Sequence, residues 1–145
     1  VENHGGGRLR AGDRAPDADL RDENNHARRL FDLFREPRHV LLLFLGASND
    51  AAGKVERIVS ALRDVPAGVL DSYRIARGAG ATATELRDLS GLAHAAYDLL
   101  EGGVILVRPD GYIGYRSNGF DLVTLQAYCG RVFGWELSRG AAGTV

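Results

Sequence analysis

Apolar positions along this chain follow three patterns, and each change of pattern marks an element. The run Val40-Leu41-Leu42-Leu43-Phe44-Leu45 is apolar without interruption. A strand covered on both faces of a parallel sheet has that pattern. Next, Val55, Ile58, Val59 and Leu62 fall at i, i+3, i+4 and i+7, which places one buried face on a helix. Ser48 or Asn49 can cap that helix by accepting a backbone N–H bond. Pro66 and Gly68 break the chain. Val69 to Ala76 alternates, with Val69, Asp71, Tyr73 and Ile75 on one face, and predicts a second strand. Residues 77–88, rich in Gly, Ala and Thr, predict a loop. Ser90 then opens a helix that turns Leu92, Ala93, Ala96 and Leu99 or Leu100 inward and stops at Gly102 and Gly103.

The segment Val104 to Arg116 reads as a β-hairpin with Arg108-Pro109-Asp110-Gly111 at its tip. Pro109 sets φ at the second turn position, and Gly111 supplies the left-handed residue from which pairing resumes. A final helix from Asp121 to about Trp135 places Leu122, Leu125, Cys129 and Val132 on one face. Ahead of the first core strand, Ala15 to Arg21 and Arg29 to Phe34, on either side of a polar turn from Arg21 to His26, form a lead-in hairpin that ends in a helical turn before Pro37. Residues 1–10 read as a flexible linker, 11–137 as one domain and 138–145 as a flexible tail.

The core order is therefore β-α-β-α-β-β-α. Two right-handed crossovers followed by an antiparallel hairpin and a helix is the thioredoxin-like arrangement, an α/β fold with a mixed central sheet and flanking helices. Redox work on that fold needs thiols at the start of the first core helix, where the helix dipole lowers a thiol pKa. The stretch there is Gly46-Ala47-Ser48-Asn49-Asp50-Ala51-Ala52-Gly53, without sulfur. The fold's usual proline before the third core strand is replaced by Glu101-Gly102-Gly103. The redox cysteines are absent, and a peroxidase of this fold is excluded on the same ground.

At 145 residues, with 45% hydrophobic and 26% charged residues, the chain is one globular domain. A formal net charge of −1 argues against nucleic acid and against a membrane surface as partners. No apolar run approaches the roughly 20 residues of a membrane helix. A single cysteine excludes an internal disulfide and fits a cytoplasmic location. The chain lacks methionine and opens with a polar, glycine-rich stretch, so a piece of a longer polypeptide is expected. The abundance of Ala, Arg and Gly suggests a GC-rich bacterial source.

Candidate chemistry is sparse. Cys129 sits on an apolar helix face, where a small buried hydrophobe needs no further role. His4, His26, His39 and His94 are scattered. His94 and Asp98, spaced i, i+4, read as a surface pair, too few ligands for a metal. Neither Gly5-Gly6-Gly7 nor Gly78-Ala79-Gly80 follows a strand and opens a helix as a phosphate loop does. Asp17, Asp19, Asp22 and Glu23 read as a solvated edge. Arg108, Tyr112, Tyr115 and Arg116 on the hairpin form a candidate interface, because Arg and Tyr are favoured at interface centres. The other reading has a tyrosine under the last helix and the arginines in water.

Three stretches carry a family resemblance. They are Ala11-Gly12-Asp13-Arg14-Ala15-Pro16-Asp17-Ala18-Asp19-Leu20, Arg29 to Phe34 leading into the apolar strand, and His94 to Tyr97 followed by Val104 to Tyr112. Over roughly residues 8–135 the chain resembles the C-terminal thioredoxin-like domain of FAD-dependent aromatic hydroxylases. These include phenol hydroxylase-like and polyketide-hydroxylase flavin monooxygenases. The resemblance implies a parent that reduces FAD with NAD(P)H and hydroxylates an aromatic ring. Its nucleotide and flavin motifs lie in the preceding part of the chain, so no catalytic, cofactor-binding or metal residue is carried over here. It implies a structural role against the FAD and substrate domain, and a homodimer in some relatives. Two other readings remain: a stand-alone, redox-inactive thioredoxin-like protein-binding module, and a glutathione-using transferase with Ser48 as its hydroxyl. Ser48 is better explained as a helix cap.

Overall fold

The computed structural model describes residues 1–46, 51–66, 68–77 and 85–133. Eight strands form one sheet: β1 Glu2–His4, β2 Asp19–Arg21, β3 Ala27–Arg29, β4 His39–Phe44, β5 Leu70–Arg77, β6 Glu85–Asp88, β7 Gly103–Val107 and β8 Ile113–Ser117. Four helices cover it: α1 Leu30–Leu33, α2 Ala51–Ala61, α3 Leu92–Ala96 and α4 Leu122–Phe133. The strand order is β1-β8-β7-β4-β5-β6-β2-β3. β4 lies parallel to β5 and antiparallel to β7, and β7 and β8 form the hairpin. This is the mixed thioredoxin-like sheet expected from the element order.

β4 shows why its sequence has no polar position. Val40, Leu42 and Phe44 face one side and pack with Leu30, Leu33, Ala93, Tyr97 and Ile105. Leu41 and Leu43 face the other side and pack with Val55, Ile58, Leu106, Leu125 and Cys129. Period-2 alternation thus feeds two cores, one on each face of the sheet. Burial of a leucine is worth about 1.5–3 kcal/mol, so a polar residue at any of these positions would lose that and leave an unpaired group.

The hairpin tip follows its sequence closely. The Gly111 N–H donates to the Arg108 carbonyl at 2.9 Å, and the Arg108 N–H donates to the Tyr112 carbonyl at 2.8 Å. Gly111 has φ of 85°, and open space surrounds the position of an added Cβ. Gly111→Ala is therefore expected to cost only the left-handed penalty, about 1–2 kcal/mol. An unchanged thermal midpoint would overturn that expectation.

Several expectations are corrected. Residues 85–88, read as loop, form β6, parallel to β5 and bridged on its other side to β2 at Arg21. One inward leucine is too little apolar signal for a strand; pairing on both sides supplies it. Residues 2–4, read as linker, pair with β8 as a short parallel edge strand. In α3, Leu92 is 66% exposed, and the buried positions are Ala93 and His94. That helix is a single turn beginning one residue later than its apolar pattern suggests. Val132 on α4 is exposed, and Tyr128 is buried there with Leu125 and Cys129. Ser48, Asn49, Trp135 and the tail 138–145 lie outside the described residues.

Candidate functional site

Two regions bear on function: the position where this fold places its thiols, and the hairpin tip. Beside the first, Leu45, Ala51, Lys54, Glu101, Asn118, Gly119 and Phe120 line an open cleft of ≈ 290 Å³. The cleft lies between the end of β4, the start of α2, the turn before β7 and the β8–α4 connection. Its lining has neither thiol nor imidazole. The chain's one cysteine is on α4, 0% exposed, and burial pushes its thiol pKa up to about 12. A thiolate is the reactive species. Native protein at pH 8 should therefore resist alkylation by iodoacetamide and react only once unfolded. Stoichiometric labelling of the folded chain would refute this.

Next to that cleft, His94 holds the end of β4. The Gly46 N–H donates to His94 Nε2 at 3.0 Å, and His94 Nδ1 lies 2.8 Å from Asp88 Oδ2. An accepting Nε2 assigns the proton to Nδ1, which donates to the carboxylate. His94 and Asp88 are both 0% exposed, and Phe44 packs edge-on to the imidazole at 5.0 Å. An Asp–His pair has the form of a general base, but here the outer nitrogen is committed to a backbone N–H and screened from solvent. The pair joins β6, α3 and β4. The surface pairing of His94 with Asp98 is thus corrected: α3 ends at Ala96, and Asp98, at φ 55°, lies beyond it and accepts the Arg8 N–H at 2.7 Å.

Asp88 also starts α3. Its carboxylate accepts the N–H groups of Ala93 at 3.2 Å and His94 at 2.8 Å, the donors an N-cap side chain ordinarily satisfies. Burial pushes its pKa up, but the bonds from the His94 imidazole and the two backbone N–H groups outweigh it and hold the carboxyl below its ordinary range.

At the tip, the structure brings together Arg108, Tyr112 and a residue the sequence reading had not grouped with them, Arg14. Arg14 bridges to Tyr112 across the end of the hairpin, and the Ala15 N–H donates to the Gly111 carbonyl at 2.9 Å. The Arg14 and Arg108 guanidinium carbons lie 5.7 Å and 6.0 Å from the Tyr112 ring centre, in cation–π range. Asp110 pairs with Arg108 at 2.7 Å. Beside them an open groove of ≈ 240 Å³ is lined by Arg14, Ala15, Phe31, Phe34, Pro109, Asp110 and Gly111. Phe31 is 45% exposed and Tyr112 37% exposed. The α1 turn presents both phenylalanines, 6.2 Å apart, to this groove. No pattern in the sequence links residues 14, 31 and 112; only the crossing of the lead-in segment over the hairpin end does.

Tyr115 and Arg116 do not share that surface. Tyr115 is 0% exposed, packs against Tyr128 at 5.5 Å and shares a hydrogen bond with Thr124 at 2.8 Å. Arg116 is 1% exposed and donates to the Gly6, Asp98 and Tyr97 carbonyls and to Asn118 Oδ1. Both faces of β8 are covered, so consecutive residues are buried whatever their polarity. Among the described residues, no group of three or more His, Cys, Asp or Glu could hold a metal ion. None of the described helices is long and apolar enough to cross a membrane.

These observations define the class: a thioredoxin-like domain without redox cysteines, in which a buried histidine holds the end of β4. The family model for the aromatic-ring hydroxylase C-terminal domain matches residues 9–135, and the chain belongs to that family. A solved flavin-dependent monooxygenase, PieE, in complex with FAD and substrate, is 27% identical with a TM-score of 0.60. Aklavinone-11 hydroxylase, solved with FAD and aklavinone, is 25% identical with a TM-score of 0.57. The match covers 86% and 83% of this chain but only 21% of each monooxygenase chain. The thioredoxin domain of a thiol-disulfide oxidoreductase from Bacteroides vulgatus is 15% identical with a TM-score of 0.64, over 83% of this chain and 98% of that one. It shows the shared fold alone. No curated protein sequence is a significant match.

Proposed function

We propose that this chain is the C-terminal domain of an FAD-dependent, NAD(P)H-using aromatic-ring monooxygenase, and that it contributes packing or oligomerisation rather than catalytic groups. The family match over residues 9–135 carries the reading. The 21% coverage of two FAD-bound monooxygenases agrees with it. The residues here do not fit a flavin or a nicotinamide: the stretch after β4 has no glycine-rich phosphate turn. FAD and NAD(P)H would therefore be held by the preceding part of the parent, which becomes this domain's principal partner. A cytoplasmic, bacterial protein belongs to the same proposal, as does a homodimer.

The second reading is a free-standing, redox-inactive binding module. Its support is the fold alone, shared at 15% identity with a thioredoxin domain that the match covers to 98%. The size and visible spectrum of the native polypeptide, captured from source cells with an antibody against this chain, separate the two. A yellow protein several-fold larger than 145 residues is the expected result. A colourless band of this size would overturn the monooxygenase reading and leave the binding module.

A further inference from the structure

We propose that the groove between the hairpin tip and α1 is the seat of the preceding, flavin-bearing part of the same polypeptide. This rests on the monooxygenase reading and goes beyond it by naming the contact surface. Three observations carry it.

The first is chemical. Phe31, Phe34 and Pro109 line a concavity with Arg14, whose guanidinium, like that of Arg108, lies over the neighbouring Tyr112 ring. Aromatic rings and arginine are the residues that dominate interface energetics, and a concavity allows them to be fully desolvated. The other exposed large apolar side chains among the described residues are aliphatic: Val1 at the chain start, Leu89, Leu92 and Leu100 around the single turn of α3, and Val123 and Val132 on α4. Arg108 already has Asp110 as its counter-ion, whereas Arg14 forms no ion pair among the described residues. A complementary surface would supply an apolar knob for the groove and a carboxylate or carbonyl for Arg14.

The second is the path of the chain. β1 runs parallel to β8, and Glu2 pairs with Tyr115. Val1 therefore lies at the end of β8 that adjoins the hairpin tip. Polypeptide preceding Val1 reaches the domain at the same end of the sheet as the groove. The third is size. A chain that covers 21% of each monooxygenase leaves roughly four-fifths of such a polypeptide to be placed against it. A neighbour of that bulk, joined at the tip end, reaches the tip groove before Val123 at the far end of α4, whose Arg131 near the other end pairs with Glu2 beside the chain start.

Hydroxyl-radical footprinting of the native full-length flavoprotein tests this, with labelling corrected for the intrinsic reactivity of each side chain. Loss of labelling at Phe31 and Tyr112, with Val123 on α4 still labelled, is the expected result. Tyr112→Glu in the same polypeptide should restore labelling at Phe31. Phe31 and Tyr112 oxidised as readily as Val123 would overturn the proposal. So would protection at Leu89 and Leu92 instead. Protection that disappears on dilution would seat a second copy there and overturn it equally. A native polypeptide that is small and colourless would defeat the monooxygenase reading itself, a result distinct from all of these.

Discussion

Asp88→Ala is expected to destabilise the domain by about 3–4 kcal/mol, because three buried donors lose one acceptor. The carboxylate receives the His94 imidazole N–H and the backbone N–H groups of Ala93 and His94. Water cannot replace it while the site stays 0% exposed. The loss also frees the imidazole that holds the Gly46 N–H, so the end of β4 should loosen with α3. Chemical denaturation reads the first effect, and amide exchange at Gly46 the second. A loss below about 0.5 kcal/mol, the size of an ordinary surface change, would show that the network contributes little.

The same site predicts the direction of a pH effect. The folded pKa of Asp88 is lowered below its ordinary value of 3.8. Its contribution is therefore fully present above the unfolded value and is lost as pH falls through the folded one. Glu2 and Asp17 are also lowered and share the acid limb. Asp88→Asn should consequently flatten the fall in stability below pH 4 without abolishing it. An acid limb identical to that of the unsubstituted chain would count against the assignment.

Arg116→Met is expected to cost about 2–4 kcal/mol, since four oxygens lose a charged donor in a buried site. The guanidinium joins three parts of the chain: Gly6 after β1, Asn118 after β8, and the Tyr97 and Asp98 carbonyls at the end of α3. Cations favour that end of a helix. The net gain is reduced because Nε is buried without a partner, and burial lowers the Arg116 pKa despite the nearby Asp98 carboxylate. Residues 5–7 should exchange their amide protons faster in the variant, because the remaining ties of this segment, the β1 pairing, the Asn118 N–H bond to the His4 carbonyl, the Ala11 N–H bond to Asn3 Oδ1 and the Glu2–Arg131 ion pair, all lie at residues 2–4. Arg116→Lys should recover only part of the loss, since an ammonium cannot reproduce the planar fork. Full recovery would mean that charge alone matters.

Local signals account for the legible parts of the fold. β4 is evident as an unbroken apolar run, α2 from its i, i+3, i+4, i+7 face, and the hairpin turn from Pro109 and Gly111. β6 was hidden because a strand between two others needs little apolar signal of its own. β1 was hidden because three polar residues at a sheet edge resemble a linker. The candidate interface was half legible. Arg108 and Tyr112 sit at a turn that the chain marks plainly, while Arg14, Phe31 and Phe34 join them only through the crossing of the lead-in segment.

The sequence by itself determined the order of the core elements and the turn at the hairpin tip. It also determined that these residues cannot build a two-cysteine site, because they include one cysteine. Its family resemblance was carried by contiguous motifs. The tertiary structure alone decided which polar residues are internal. Alternation tells which side of a strand a residue faces, not whether that side is covered. With layers on both faces of β8, Tyr115 and Arg116 are both buried, and the guanidinium is tolerated because backbone carbonyls from two segments and the Asn118 amide oxygen from a third converge on it. His94 is buried on the same terms, between a carboxylate six residues earlier and a backbone N–H 48 residues away, a pairing no local pattern encodes.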